Sequence, residues 1–142
     1  MGYQLSFFYV PFGRSHYLLQ KNKLDVAMTL SSRLDIGKNV RSDPYITYHN
    51  VAISLKGRAI QISDISQLQS YSLAAFQNAK LVLGTEFSQA SQKSPFYMEF
   101  PDQNKQVEMF LKGKVDIVVM DINIFNYISK SYLGRSHMAN IN

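Results

Sequence analysis

The stretch Leu111-Lys112-Gly113-Lys114-Val115-Asp116-Ile117-Val118-Val119-Met120-Asp121 decides how the rest of the chain is read. Upstream of it, Val107, Phe110 and Leu111 repeat at helical spacing behind Asp102, a residue type that accepts from the free N–H groups of a first turn. The spacing predicts a helix over 103–112, with Gly113 placed to end it. Lys114–Met120 is then a short, almost wholly apolar run. Such a run suits a strand covered on both faces, as in a parallel sheet. Asp121 opens a further helix through Ile124, Phe125 and Ile128. Helix, buried strand and helix in this order are the unit of an α/β fold.

Working outward, the same alternation recurs. Gln4–Val10, Leu24–Leu30, Ile46–Leu55, Tyr71–Phe76 and Phe96–Phe100 read as strands, and Ser15–Gln20 as a helix. Asp64 is a cap for a short helix over Ile65–Leu68. Asn78 is a cap for a helix from Ala79 onward, with Gly84 as its breaker. The expected fold class is α/β with mostly parallel sheets. Lys23-Leu24-Asp25-Val26-Ala27 and Lys114-Val115-Asp116-Ile117-Val118 share one pattern, consistent with two related halves or with a polar break that recurs before a strand.

Composition excludes several classes. The chain has 142 residues, 46% hydrophobic and 18% charged, with no Cys and no Trp. That excludes a disordered tail, a coiled coil and a collagen-like repeat. Without Cys there is no disulfide framework, no thiolate metal site and no Cys nucleophile. His16, His49 and His137 are too far apart to form a recognisable metal motif, so no metal is expected. There is no Gly-x-Ser-x-Gly elbow, no P-loop and no dinucleotide fingerprint. No catalytic residue and no cofactor is therefore assigned. The apolar runs are too short to span a membrane. Met1-Gly2-Tyr3-Gln4 shows no basic region followed by a long apolar one, so no signal peptide is expected in this stretch.

The net charge is +5, and it is uneven. Residues 1–56 carry seven bases against three acids, and residues 57–142 eight against seven. The bases are scattered, with no two adjacent, so a nucleic-acid partner is not expected. Small-molecule binding fits better. Ligands of open α/β sheets sit beyond the carboxyl ends of strands. Three polar groups fall there: Arg33 after Leu24–Leu30, Asn78 after Tyr71–Phe76, and Asp121 after Val115–Met120. A guanidinium holds a carboxylate through two parallel hydrogen bonds. An aspartate holds an ammonium, and a helix start favours an anion. The ordinary roles of these residues are a solvated loop for Arg33 and helix caps for Asn78 and Asp121.

Lys23-Leu24-Asp25 … Thr29 … Arg33 … Ser42-Asp43-Pro44-Tyr45 resembles the first-lobe signature of the family 3 extracellular solute-binding proteins, the receptors of amino-acid ABC transporters. Ile65–Leu68 with Tyr71–Leu83 resembles the entry to their second lobe, and Leu111–Asp121 that lobe's helix–strand–Asp segment. The resemblance covers roughly residues 3–130. It implies a type II periplasmic-binding-protein-like fold of two lobes, with residues 1–56 a partial lobe one including a hinge strand, 57–131 lobe two, and 132–142 a tail. It implies no enzyme activity, a periplasmic location and an ABC transporter permease as partner.

By the same resemblance, Arg33 holds the carboxylate of an amino-acid-like solute and Asp121 its ammonium. Asn78 and Ala79 supply second-lobe donors, Tyr45 covers the cleft edge, and Thr29 belongs to the binding set. The family's first strand and helix, and its return to lobe one after Asp121, have no match here. Lobe one is thus expected to be incomplete, with a homodimer or strand exchange covering its exposed surface. The alternatives are a ligand-sensing domain of a regulator or sensor protein, a non-binding fragment, or, last, a cyclohexadienyl-dehydratase-like enzyme.

Overall fold

The computed structural model describes residues 2, 4–37, 39 and 41–133. Its centre is a sheet of β1 (Asn50–Ser54), β2 (Leu73–Phe76), β3 (Tyr97–Phe100) and β4 (Ile117–Asp121), in the order β1-β4-β2-β3. The Ile117–Asp121 strand is buried along its whole length. It pairs parallel with β2 on one side and antiparallel with β1 on the other, Asn50 opposite Asp121. The β2–β3 pair is parallel as well. The sheet is therefore mixed, with two of its three strand pairs parallel, as the expected mostly parallel pairing requires, and β1 added antiparallel at one edge.

Helices cover both faces. Gln103–Leu111 forms α4, capped by the Asp102 side chain, which accepts from Asn104 N–H at 3.0 Å. Ile122–Leu133 forms α5. With these helices, one face of the sheet buries Val107, Phe110, Val118, Met120, Phe125 and Ile128. Phe110 and Phe125 meet edge to face, with ring centroids 5.8 Å apart. The other face buries Leu73, Ala75, Ala79, Phe87, Ala90, Ile117 and Val119. A strand covered on both sides has to be apolar at every position, and β4 is.

The helix expected from Ala79 is in fact two, α2 (Ala79–Val82) and α3 (Thr85–Lys93). Gly84 separates them at φ +93° and ψ −176°, a backbone region essentially reserved for glycine. After α3, Ser94 Oγ donates to Tyr71 O at 2.6 Å, at the start of β2. Thus α3 runs back along β2, and its N-terminus lies at the sheet's carboxyl edge. Among the described residues Ile65–Ser70 is a 3₁₀ helix with a capping box between Asp64 and Gln67. It packs on α3. At the opposite edge Arg58 pairs with Asp116 and donates to Gly113 O, while Asp116 also accepts from Ser72 N–H at 2.9 Å.

The N-terminal segment departs from expectation. It holds α1 (Phe12–Gln20), longer than the predicted Ser15–Gln20. Gln4–Val10 and Leu24–Leu30 lie outside any strand, and Ile46–Leu55 yields only the five residues of β1. Tyr9 is 96% exposed and Val26 75%. A strand forms only where a neighbour takes up its N–H and C=O groups, and none lies beside these stretches among the described residues. The same holds for the repeated pattern: Lys114–Val118 enters a strand and Lys23–Ala27 does not. Among the described residues, 1–56 thus contribute one helix, chain outside any sheet and the strand β1, but no second sheet. His137 and most of the expected tail, from residue 134 on, lie outside the described residues.

Candidate functional site

Three clusters gather at the carboxyl edge of the sheet. The first surrounds Asp121, at the last position of β4. Its Oδ1 accepts from Asn123 N–H at 2.9 Å and Ile124 N–H at 3.0 Å, which caps α5. Its Oδ2 accepts from His49 N–H at 2.7 Å. A carboxylate offers about four acceptor positions, so three are used and one remains. Tyr48, one residue before His49, brings Asp121 together with two other predicted residues. Burial first, then the neighbouring Tyr45 phenol, and least the Asp121 charge raise the Tyr48 phenol above its usual pKa, while the Thr29 side chain pulls it partly back. Thr29 N–H donates to Tyr45 Oη at 3.0 Å, and Thr29 adopts a left-handed φ of 62°.

The second cluster lies at Asn78 and Ala79. The expectation of an anion at this helix start is met from within. Glu99, on β3, accepts from Asn78 N–H at 2.7 Å and from Lys80 N–H at 3.1 Å. Tyr97 Oη donates to the same carboxylate at 2.7 Å, and Lys80 Nζ lies 4.4 Å from the Tyr97 ring centre. Burial, then the bond to Glu99 and its charge, push the Tyr97 phenol far up. Asn78 itself has φ +66° and makes no side-chain cap to the helix. Ala79 is fully buried in the core.

The third cluster joins Arg33 to the start of α3. A Cβ added to Gly84 would lie 2.6 Å from Arg33 Nη1. The guanidinium therefore rests against bare glycine backbone at the helix N-terminus. The first helical bond there is Ser88 N–H to Gly84 O at 3.0 Å, so the N–H groups of Thr85, Glu86 and Phe87 have no helical acceptor. No side chain caps them. Among the described residues the Arg33 guanidinium makes no hydrogen bond and no ion pair. Sequence reading missed the part played by Gly84 and Thr85. The signal in the sequence is the Leu83-Gly84-Thr85 junction, where glycine ends one helix and the next starts at Thr85.

A shallow depression between the 3₁₀ helix and α3, lined by Asp64, Ser66, Gln69, Glu86, Gln89, Ala90 and Lys93, contains none of the expected site residues. Among the described residues no three His, Cys, Asp or Glu gather in a metal-ligating group. No described helix is long and apolar enough to cross a membrane.

Several solved structures share this architecture. An ancestral arginine-binding protein bound to arginine superposes with a TM-score of 0.69 at 20% identity over 96% of this chain and 59% of its own. The glutamine-bound form of an ancestral arginine-binding protein gives 0.65 at 21%, over 96% and 58%. The ancestral amino acid-binding protein AncCDT-1, a precursor of cyclohexadienyl dehydratase, gives 0.63 at 24%, over 89% and 56%. The chain has the periplasmic-binding-protein fold. It spans a little over half the length of these structures. No family model matches the chain, and no curated protein matches it in sequence.

Proposed function

We propose that this chain carries the ligand-contacting part of an amino-acid-binding protein, with the carboxylate of a small zwitterionic or anionic solute held between Arg33 and the first turn of α3. One observation carries this reading: an arginine with no protein partner among the described residues rests on the uncapped N-terminus of a nine-residue helix. A guanidinium and a helix start each favour a carboxylate, the first through paired charge-assisted bonds, the second through free N–H groups and the helix dipole. The remaining acceptor position of Asp121 suits the solute's ammonium, with Tyr48 and Tyr45 beside it as apolar cover.

Binding without catalysis is supported by the solved structures, three of which are described as amino-acid or arginine binders. Within this reading the protein works as a periplasmic transport receptor that delivers its solute to an ABC transporter permease. A ligand-sensing domain of a regulator would use the same site. The exposed apolar stretches at residues 5–9 and 26–28 are covered by a second copy, through dimerisation or strand exchange. Sedimentation tests that part, and a strictly monomeric species contradicts it.

A thermal-shift screen over amino acids and small carboxylates tests the binding reading. Ligand that prefers the folded state raises the midpoint by mass action. A rise with amino acids that vanishes on removing their carboxylate supports the site; no rise with any of them contradicts it.

A further inference from the structure

Helix α1 reaches the sheet's carboxyl edge through a contact at Gln77. Gly13 N–H, in the first turn of α1, donates to Gln77 Oε1 at 2.9 Å, across 64 positions of sequence. Helix α1 begins after Pro11 with no side-chain cap of its own, so Gln77 acts as its cap from outside. A Cβ at Gly13 would lie 2.8 Å from Gln77 Nε2, 2.9 Å from its Cδ and 3.1 Å from Asn78 Nδ2. A methyl at residue 13 requires the Gln77 and Asn78 side-chain amides to shift.

Both ends of the contact are anchored. On the sheet side, Gln77 N–H donates to Phe100 O at 3.1 Å, and Glu99 holds the next turn through Asn78 and Lys80 N–H. On the other side, α1 is tied to the loop that bears Arg33. Gln20 Nε2 donates to Asp35 O at 3.0 Å, Gln20 Cγ lies 3.9 Å from a Cβ at Gly37, and Leu19, Leu34 and Ile36 are buried.

We propose that Gln77 is a positioning residue that docks α1 on the sheet's carboxyl edge and thereby sets where Arg33 stands relative to the start of α3. Its effect on affinity rests on the site reading above, while its docking role is independent of any ligand.

The test is amide hydrogen exchange followed by NMR, with the core amides of Val118 and Val119 as a control for global unfolding. Gln77→Ala raises exchange at Gly13 about fivefold to tenfold, the equilibrium effect of one lost hydrogen bond, and leaves the core amides unchanged. Gly13→Ala, which favours the helix by itself, still raises exchange at residue 13, because its methyl displaces the Gln77 amide. The double variant is no worse than Gln77→Ala alone, since the two changes break one contact. Unchanged exchange at Gly13 in Gln77→Ala, or simple additivity in the double variant, overturns the proposal. With arginine added, Gln77→Ala weakens binding severalfold, less than the loss of about tenfold or more on Arg33→Ala. If arginine binds and Gln77→Ala binds it as tightly as wild type, the link from docking to affinity is wrong. If no amino acid binds wild type, the site reading fails and the exchange result still decides the docking role.

Discussion

The Arg33 guanidinium lies against Gly84 so closely that a methyl at Gly84 would sit 2.6 Å from Nη1. The glycine also has φ +93° with an extended ψ, where a side chain meets its own backbone. Gly84→Ala therefore carries two penalties, backbone strain and displacement of Arg33. Urea unfolding is expected to show a loss of about 1–3 kcal/mol. A variant as stable as wild type would mean that this junction relaxes freely and that its geometry is not imposed.

The core and the N-terminal segment respond differently to truncation. Phe110 is fully buried against Phe125 and the sheet, so Phe110→Ala costs about 3–5 kcal/mol in denaturant unfolding. Phe8 is 72% exposed in the single chain, so in dilute monomer Phe8→Ala changes stability by less than about 0.5 kcal/mol. At concentrations where a second copy covers Gln4–Val10 the same variant costs more, and a cost that does not depend on protein concentration contradicts that cover.

That contrast follows what the sequence could and could not convey. The elements around Lys114–Asp121 were legible because each carries its own signal. Asp102 caps a 3.6-residue pattern, Gly113 stops it, and Ile117–Met120 is apolar at every position because both faces are covered. Leu24–Leu30 has nearly the same composition and forms no strand, because strand formation depends on partners that a local pattern does not reveal. At the site, Asp121 was legible from its place at a strand end. Glu99 was not, since it sits within β3 and only the parallel register Ala75–Glu99 carries it toward Asn78. Arg33 was legible as a candidate, but its partner Gly84 lies 51 positions away and depends wholly on tertiary structure.

Tyr97 and Asp102 each make stability depend on pH, at opposite ends of the range. Tyr97, through burial and its bond to Glu99, is raised from 10.0 in the folded state. A raised folded value favours folding in full below pH 10 and loses that contribution as pH climbs through the folded value. Asp102 is lowered from 3.8, first by the Asn104 side chain and then by its backbone N–H. Its contribution is present above pH 3.8 and fades as pH falls through the lowered value. Tyr97→Phe flattens the alkaline arm of a thermal-midpoint profile, at a cost of about 1 kcal/mol at neutral pH for the lost hydrogen bond. An unchanged alkaline arm would place Tyr97 in solvent.

The central claim is that Arg33 and the start of α3 together hold a carboxylate, and calorimetric titration of arginine and glutamine into wild type and Arg33→Ala tests it most directly. At least one of the two amino acids is predicted to bind wild type, and Arg33→Ala is predicted to weaken that binding by about tenfold or more, the effect of losing a charge-assisted pair. Equal affinity in the two proteins would contradict the claim, as would the absence of binding to wild type.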